Sequence, residues 1–78
     1  MNKNDILQKT IALFATMTEA EEITAQSELM EDLDLSSMDV MIVVSSLEEE
    51  FGIKVPEMLL QNVETVGDVA TMVTDLMK

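Results

Sequence analysis

The segment from Ser36 to Gly52 specifies the start, the buried face and the end of one helix. Ser36 and Asp39 have the S-x-x-D spacing of a capping box, in which each side chain satisfies an open backbone N–H of the first turn. An apolar stripe at helical spacing follows, formed by Val40, Val44, Leu47 and Phe51. Gly52 suits the left-handed residue that ends many helices. The segment therefore predicts a helix from Ser37 to about Phe51, ending at Gly52.

In this register Ser37 occupies the first helical position, and we expect its hydroxyl to point outward. A phosphate ester on this oxygen would lie near unpaired N–H groups and the positive end of the helix dipole. The position is therefore a good seat for a covalently attached phosphorylated group.

The residues before this segment predict a helix and a long loop. A first helix over residues 3–16 is indicated by apolar residues at helical spacing, namely Ile6, Leu7, Ile11 and Phe14. A polar loop over residues 17–35 follows, which is long for a small domain. We expect its apolar residues to pin it to the core: Ile23, Leu29, Leu33 and Leu35.

The residues after Gly52 predict an extended connector and two more helices. Residues 53–56 end in a proline, which disfavours helical angles in the residue before it. A short helix is expected over residues 57–62. Thr65 and Asp68 repeat the capping-box spacing and begin a last helix. One face of that helix should carry Val66, Val69, Ala70, Val73 and Met77.

The length of 78 residues accommodates one domain, residues 1–78, and no second core. Three main helices and one short helix predict an all-α, four-helix bundle with a long first loop. No apolar run approaches the ~20 residues of a membrane span, and the amino terminus lacks the apolar region of a signal peptide. These features predict a cytoplasmic chain, or a mature chain inside an organelle.

Composition excludes several kinds of chemistry. The chain has no cysteine and no histidine, which excludes disulfides, thiol catalysis and a Ser-His-Asp triad within it. Sixteen acidic side chains against four lysines give a net charge of −12. Nucleic acid and anionic membranes are therefore poor partners, whereas basic protein patches are a natural complement. Solubility alone would account for the charge equally well.

These segments, in this order and spacing, resemble an acyl carrier protein, a phosphopantetheine-dependent carrier. The blocks that carry the resemblance are Glu31-Asp32-Leu33, Ser37-Met38-Asp39, the run from Leu47 to Pro56, and Thr65-Val66-Gly67-Asp68-Val69. In the family's Asp-Ser-Leu signature the serine accepts phosphopantetheine from coenzyme A. Ser37 matches that serine, Ser36 stands at the aspartate and Met38 at the leucine. Choosing Ser36 instead would shift every flanking block by one residue.

The resemblance implies a carrier that performs no catalysis and holds no metal of its own. A phosphopantetheinyl transferase would supply coenzyme A and a metal ion, and Ser37 Oγ would attack the pyrophosphate. The covalent 4'-phosphopantetheine arm would carry acyl groups as thioesters for fatty-acid, polyketide or specialised lipid biosynthesis. Partners would be acyl-transfer, ketosynthase or acyl-activating enzymes with basic docking patches, and the chain is expected to be a monomer.

The resemblance also implies two groups of site residues beyond Ser37. An acyl pocket between the helices would be lined by Leu29, Leu47, Val55, Leu60, Val63 and Val69, all of which would serve equally as ordinary core residues. A docking surface for partners would include Met38, Asp39, Ile42, Glu48 and Glu49, with Glu50 beside them. A solvated helix face would account for the glutamates as well.

Three departures from the family pattern concern recognition. Ser36 removes the charge of the usual aspartate, Ile42 replaces an acidic residue of many fatty-acid carriers, and residues 58–60 are more apolar than usual. Met38 and Ile42 could form the small apolar centre of a partner interface. We therefore hypothesise a specialised carrier whose partners differ from those of housekeeping fatty-acid synthesis.

Other functions stay open at this point. A peptidyl or D-alanyl carrier would share the fold and the attachment serine, although the acidic charge favours an acyl load. A helical interaction domain without cofactor is a further alternative. A calcium loop beginning at Asp32 fails, because an EF-hand needs glycine and glutamate where this chain has Ser37 and Val43.

Overall fold

A computed structural model describes residues 2–19 and 22–77, and within them the chain forms four helices. In order they are α1 (Lys3–Ala15), α2 (Ser37–Phe51), α3 (Glu57–Leu60) and α4 (Val66–Leu76). The predicted all-α architecture is confirmed, and α2 has the predicted bounds. The first helix ends one residue earlier than predicted, with Thr16 as its C-cap, and the short helix ends at Leu60 rather than at residue 62.

One cluster of buried side chains joins these helices. α1 packs mainly against α4 and less extensively against α2. The largest completely buried apolar side chains of the cluster are Phe14, Ile6, Leu47, Val43, Val66, Val69 and Val73. Thr10 is also fully buried, and its hydroxyl donates a 2.8 Å hydrogen bond to the carbonyl of Ile6 one turn earlier. This bond satisfies the hydroxyl without a partner from another element.

The long first loop is held to the core as predicted. Leu29, Leu33 and Leu35 are buried and Ile23 is half-buried, whereas positions 20 and 21 of the loop lie outside the described residues. Backbone hydrogen bonds join the loop to the start of α4. Leu29 N donates to the carbonyl of Glu64 at 2.9 Å, and Val66 N donates to the carbonyl of Ser27 at 3.0 Å. The loop is therefore bonded to the segment that begins α4.

Gly67 permits the closest part of this contact. Its N–H donates to the carbonyl of Ala25 at 2.8 Å, and a Cβ at position 67 would lie 2.8 Å from the same oxygen. Glycine inside a helix normally costs about 1 kcal/mol relative to alanine. Here a side chain would separate the loop from α4, so the glycine is required by the packing.

The ends of α2 and α4 differ. Gly52 ends α2 in the left-handed conformation (φ 64°), as predicted. α4 ends at Leu76, and Met77 is the C-cap residue with 39% of its surface exposed. The other residues predicted for this face, Val66, Val69, Ala70 and Val73, are buried, whereas Met77 at the end of the helix is exposed. None of the helices described here has the length and apolarity needed to cross a membrane.

Candidate functional site

The start of α2 has the predicted capping box. Asp39 N donates to Ser36 Oγ at 3.2 Å, and Ser36 N donates to the Asp39 carboxylate at 3.1 Å. Ser36 has an extended backbone (φ −85°, ψ 168°), which turns the chain abruptly into the helix. The two reciprocal bonds fix the orientation of the first turn and hence the direction of the Ser37 side chain.

Apolar residues on either side of the cap hold it against the protein. Leu35 precedes the cap and Val40 follows it by four residues, which is the spacing of a hydrophobic staple. Both are buried, at 4% and 7% exposure, and both belong to the common core cluster. Leu35 N also donates to the carbonyl of Leu29 at 3.0 Å. With its two flanks directed inward, the cap places Ser37 on the outside.

Ser37 is exposed at the first position of α2. Within residues 2–19 and 22–77, its hydroxyl forms no hydrogen bond, and the N–H groups of Ser37 and Met38 have no acceptor. A helix start of this kind combines a free nucleophilic oxygen with open donors and the positive end of the helix dipole. The predicted exposure of Ser37 agrees with the structure.

A cleft of about 530 Å³ opens directly beside Ser37. It lies between the first loop, the first turns of α2, and α3 with the segment that follows it. Its apolar lining consists of Leu29, Met30, Val40, Met41, Leu60 and Val63. Its polar lining, apart from Ser37, consists of Glu28, Glu31, Glu57, Gln61 and Glu64. The cleft thus offers an apolar floor with a strongly acidic margin.

The six predicted pocket residues divide into two groups. Leu29, Leu60 and Val63 line the cleft. Leu47 and Val69 are fully buried in the core, and Val55 is half-buried in the connector; these three do not line it. The sequence analysis missed the other lining residues. Val40 and Met41 could have been found from their closeness to Ser37 along the chain. No comparable sequence signal existed for Met30 or the glutamates.

The outward face of α2 is apolar near Ser37 and polar further along. Exposed residues recur at helical spacing, namely Met38, Met41, Ile42, Ser45 and Glu49. Met38 is 73% exposed, and Met41 and Ile42 are each 49% exposed. We call these three residues the α2 apolar patch. Met38 and Ile42 were identified from the sequence, and the structure adds Met41 to them.

Several acidic residues assigned to docking already have bonds within the fold. Asp39 belongs to the capping box, and Glu48 Oε2 accepts a 2.7 Å hydrogen bond from Val55 N in the connector. Glu50 forms an ion pair with Lys9 of α1. Glu49 is exposed and, in the described part of the chain, forms no ion pair or side-chain hydrogen bond. Glu49 is thus the one carboxylate of the four predicted for docking that has no such bond within the described residues.

Across the described residues, no three acidic side chains are grouped closely enough to hold a metal ion. With no histidine or cysteine in the chain, the site contains an alcohol nucleophile and carboxylates but no imidazole or thiol. A small helical bundle that presents an exposed alcohol at a helix start beside an apolar cleft has the character of a carrier domain.

Comparisons with known proteins agree with this class. The profile of the family described as "Phosphopantetheine attachment site" matches residues 6–73. An acyl carrier protein of Saccharopolyspora erythraea is 36% identical over 97% of this chain and 82% of its own length. An acyl carrier protein of Thermosynechococcus vestitus is 31% identical over 96% of this chain and 95% of its own length. The chain therefore belongs to the acyl carrier protein family, whose cofactor is covalent 4'-phosphopantetheine.

A solved structure gives the same assignment of fold. The acyl carrier protein from Enterococcus faecalis superposes with a TM-score of 0.79 at 29% identity, covering 97% of this chain and 99% of that one. The residues around Ser37 fit the family's prosthetic group chemically. The exposed hydroxyl could form the phosphodiester, the open N–H groups at the helix start would favour its negative charge, and the adjacent cleft has apolar residues in its lining.

Proposed function

We propose that residues 1–78 form a single acyl carrier domain and that Ser37 Oγ is the atom to which the arm is attached. The observation that carries this proposal is the exposed, unbonded hydroxyl of Ser37 at the capped start of α2, bordering the cleft. Ser36, the neighbouring alternative, has its oxygen engaged as acceptor for Asp39 N at 3.2 Å.

The attachment step needs a partner enzyme. Ser37 Oγ attacks the β-phosphorus of coenzyme A, an O–P bond forms, the bond to the bridging oxygen breaks, and 3',5'-adenosine diphosphate leaves. The hydroxyl proton passes to a base of the transferase. The attached group supplies the thiol on which acyl chains are carried as thioesters. The cap fixes the backbone that bears the attachment oxygen, and the apolar residues of the cleft would shelter an acyl chain.

Intact mass spectrometry tests the attachment. Coexpression with a promiscuous phosphopantetheinyl transferase should add one phosphopantetheinyl group to the wild type. Ser37→Ala should abolish the addition, whereas Ser36→Ala and Ser45→Ala should retain it. Ser45 is the matched control, because it is another exposed serine of the same helix. Addition to Ser37→Ala, or an unmodified wild type under several transferases, would refute the proposal.

We further propose that partner enzymes dock on α2 through the α2 apolar patch and Glu49. The partners are the transferase and acyl-transfer, ketosynthase or acyl-activating enzymes that present basic residues around an apolar contact. The surface charge of −12 supports basic partners. The exposure of Met38 and Ile42 supports an apolar centre. Asp39 and Glu48 contribute charge from positions fixed by their hydrogen bonds. We place the carrier in the cytoplasm, as a monomer.

Transferase kinetics test the docking surface. Met38→Ser with Ile42→Ser should lower kcat/KM for modification by about tenfold, while Met77→Ser, an exposed methionine at the far end of α4, should leave it unchanged. Glu49→Lys should weaken docking more than Glu22→Lys, since Glu22 lies on the first loop. Equal losses in the α2 variants and their controls would remove the docking assignment.

The apolar patch also supports a specialised rather than a housekeeping role. A housekeeping transferase and fatty-acid elongation enzymes should process this carrier more slowly than a housekeeping carrier. If they used both carriers at the same rates, the reason for calling this chain specialised would disappear.

A further inference from the structure

Unlike Asp39, Glu48 and Glu50 of α2, the carboxylates around the cleft have no bonded counterpart. Glu28, Glu31, Glu57 and Glu64 line the cleft and are all exposed. Among the described residues, none of these four carboxylates forms an ion pair or a hydrogen bond. The backbone N–H groups of Glu28 and Glu64 are bonded to Asp32 and Asp68, but their side chains are not.

Among the described residues that line the cleft there is no lysine to offset these charges. Lys3 lines a separate pocket together with Glu28, Lys54 is exposed in the connector, and Lys9 is paired with Glu50 on α1. An acyl chain that lies on the apolar floor of Leu29, Leu60 and Val63 is therefore surrounded by negative charge of one sign. Charges of one sign around an apolar surface favour a guest of the opposite sign.

From this arrangement we infer that the cleft selects its acyl cargo by charge, sheltering neutral and amine-bearing acyl chains and rejecting those that end in a carboxylate. The inference rests on the proposed attachment at Ser37, which borders the cleft. The apolar residues of the cleft bind the acyl chain, and the charge of the four glutamates determines which chains bind there. A terminal ammonium group that loses water in the cleft is stabilised by these carboxylates. A terminal carboxylate loses water and is also repelled by them.

The test uses three thioesters of equal length on the intact carrier: octanoyl, 8-aminooctanoyl and 7-carboxyheptanoyl. Each is loaded on Ser37 from the matching acyl-coenzyme A by a promiscuous transferase. The readout is the rate of thioester cleavage by hydroxylamine, divided by the rate for the same acyl group on free N-acetylcysteamine. This ratio removes intrinsic differences in reactivity and reports shelter by the protein.

We expect octanoyl to be cleaved most slowly and the carboxylate-bearing chain most rapidly, with the amine-bearing chain at least about threefold slower than the carboxylate-bearing chain. Raising ionic strength from about 0.05 M to about 0.5 M should reduce that gap, because salt screens exposed charges. Glu31→Gln with Glu57→Gln should abolish it. Glu19→Gln with Glu22→Gln changes the net charge equally at exposed sites outside the cleft and should leave it intact.

Equal cleavage of the two charged chains would overturn the inference, because desolvation alone would then explain the data. A gap that persists in the Glu31 and Glu57 double variant would overturn it as well. Failure of the transferase to load Ser37 at all is a distinct result, which counts against the proposed attachment rather than against charge selection alone.

Discussion

α2 and α4 begin with the same local structure and have different surroundings. Each is opened by a capping box: Ser36 with Asp39 for α2, Thr65 with Asp68 for α4. The side-chain oxygen of the cap accepts from the third helical N–H at 3.2 Å in α2 and 3.1 Å in α4. The first helical residue is exposed Ser37 in one helix and fully buried Val66 in the other.

The difference comes from what lies over each helix start. The first loop covers the start of α4 and takes up the N–H groups of Val66 and Gly67 with the carbonyls of Ser27 and Ala25. In the described chain nothing takes up the corresponding N–H groups of Ser37 and Met38. A capping box therefore specifies where a helix starts, and the surrounding chain determines whether that start is covered or exposed.

The most stringent test of the difference between the two helix starts is to move the serine hydroxyl from α2 to α4. Val66→Ser in the Ser37→Ala background places a serine behind Thr65 in the same capped register. We expect no phosphopantetheine addition, because position 66 is buried under the loop, and a loss of about 3 kcal/mol in the free energy of unfolding. Intact mass and urea unfolding measure the two quantities. Modification at position 66 would show that burial does not separate the two sites.

A second test removes the close approach of the loop to α4. Gly67→Ala should lower the free energy of unfolding by about 2 kcal/mol, because the added Cβ would lie 2.8 Å from the Ala25 carbonyl oxygen. Gly52→Ala is the control: it has open space around it but a left-handed backbone, so we expect a loss of about 1 kcal/mol. A neutral or stabilising Gly67→Ala would mean that the loop does not hold α4 tightly.

The two caps themselves should be energetically similar. Thr65→Ala and Ser36→Ala should each lower the free energy of unfolding by about 1 kcal/mol, since each removes one acceptor from an otherwise equivalent box. Thermal or urea unfolding of the two variants measures this directly. A much larger loss at Thr65 would indicate that the loop contact depends on that cap.

The smallest expected effect on stability is at Ser36→Asp, which restores the charge found at this position in the family signature. Aspartate caps helices as well as serine does, so the free energy of unfolding should change by no more than about 0.5 kcal/mol. The transferase should nevertheless modify the variant faster than the wild type. An unchanged rate would show that the missing charge is irrelevant to recognition.

The sequence was sufficient for features whose causes are local. The start of α2 at Ser37, its stripe and its end at Gly52 depend on residues within a few turns of one another, and all three were predicted correctly. The same holds for the start of α4 at Val66. Capping and periodicity are short-range effects, so a single sequence contains them.

Features that depend on distant contacts could not be read in this way. The engagement of Glu48 by Val55 N and the contact of Gly67 with Ala25 join segments whose relative position is set by the whole fold. The composition of the cleft is another example. Leu47 lies deeper than expected, whereas Met30 reaches the cleft from a loop that has no periodicity to indicate its direction.

We expect the two sides of the cleft to differ in stiffness, because a hydrogen bond from Leu29 N to Glu64 O holds one of them. It fastens two lining residues to each other through their backbones, so the loop side and the margin next to α4 should move as one body. The opposite side is α3, a single turn with no side-chain cap and no buried residue. We expect a bulky acyl chain to displace this turn rather than the loop side. α3 should therefore be the helix that moves most easily.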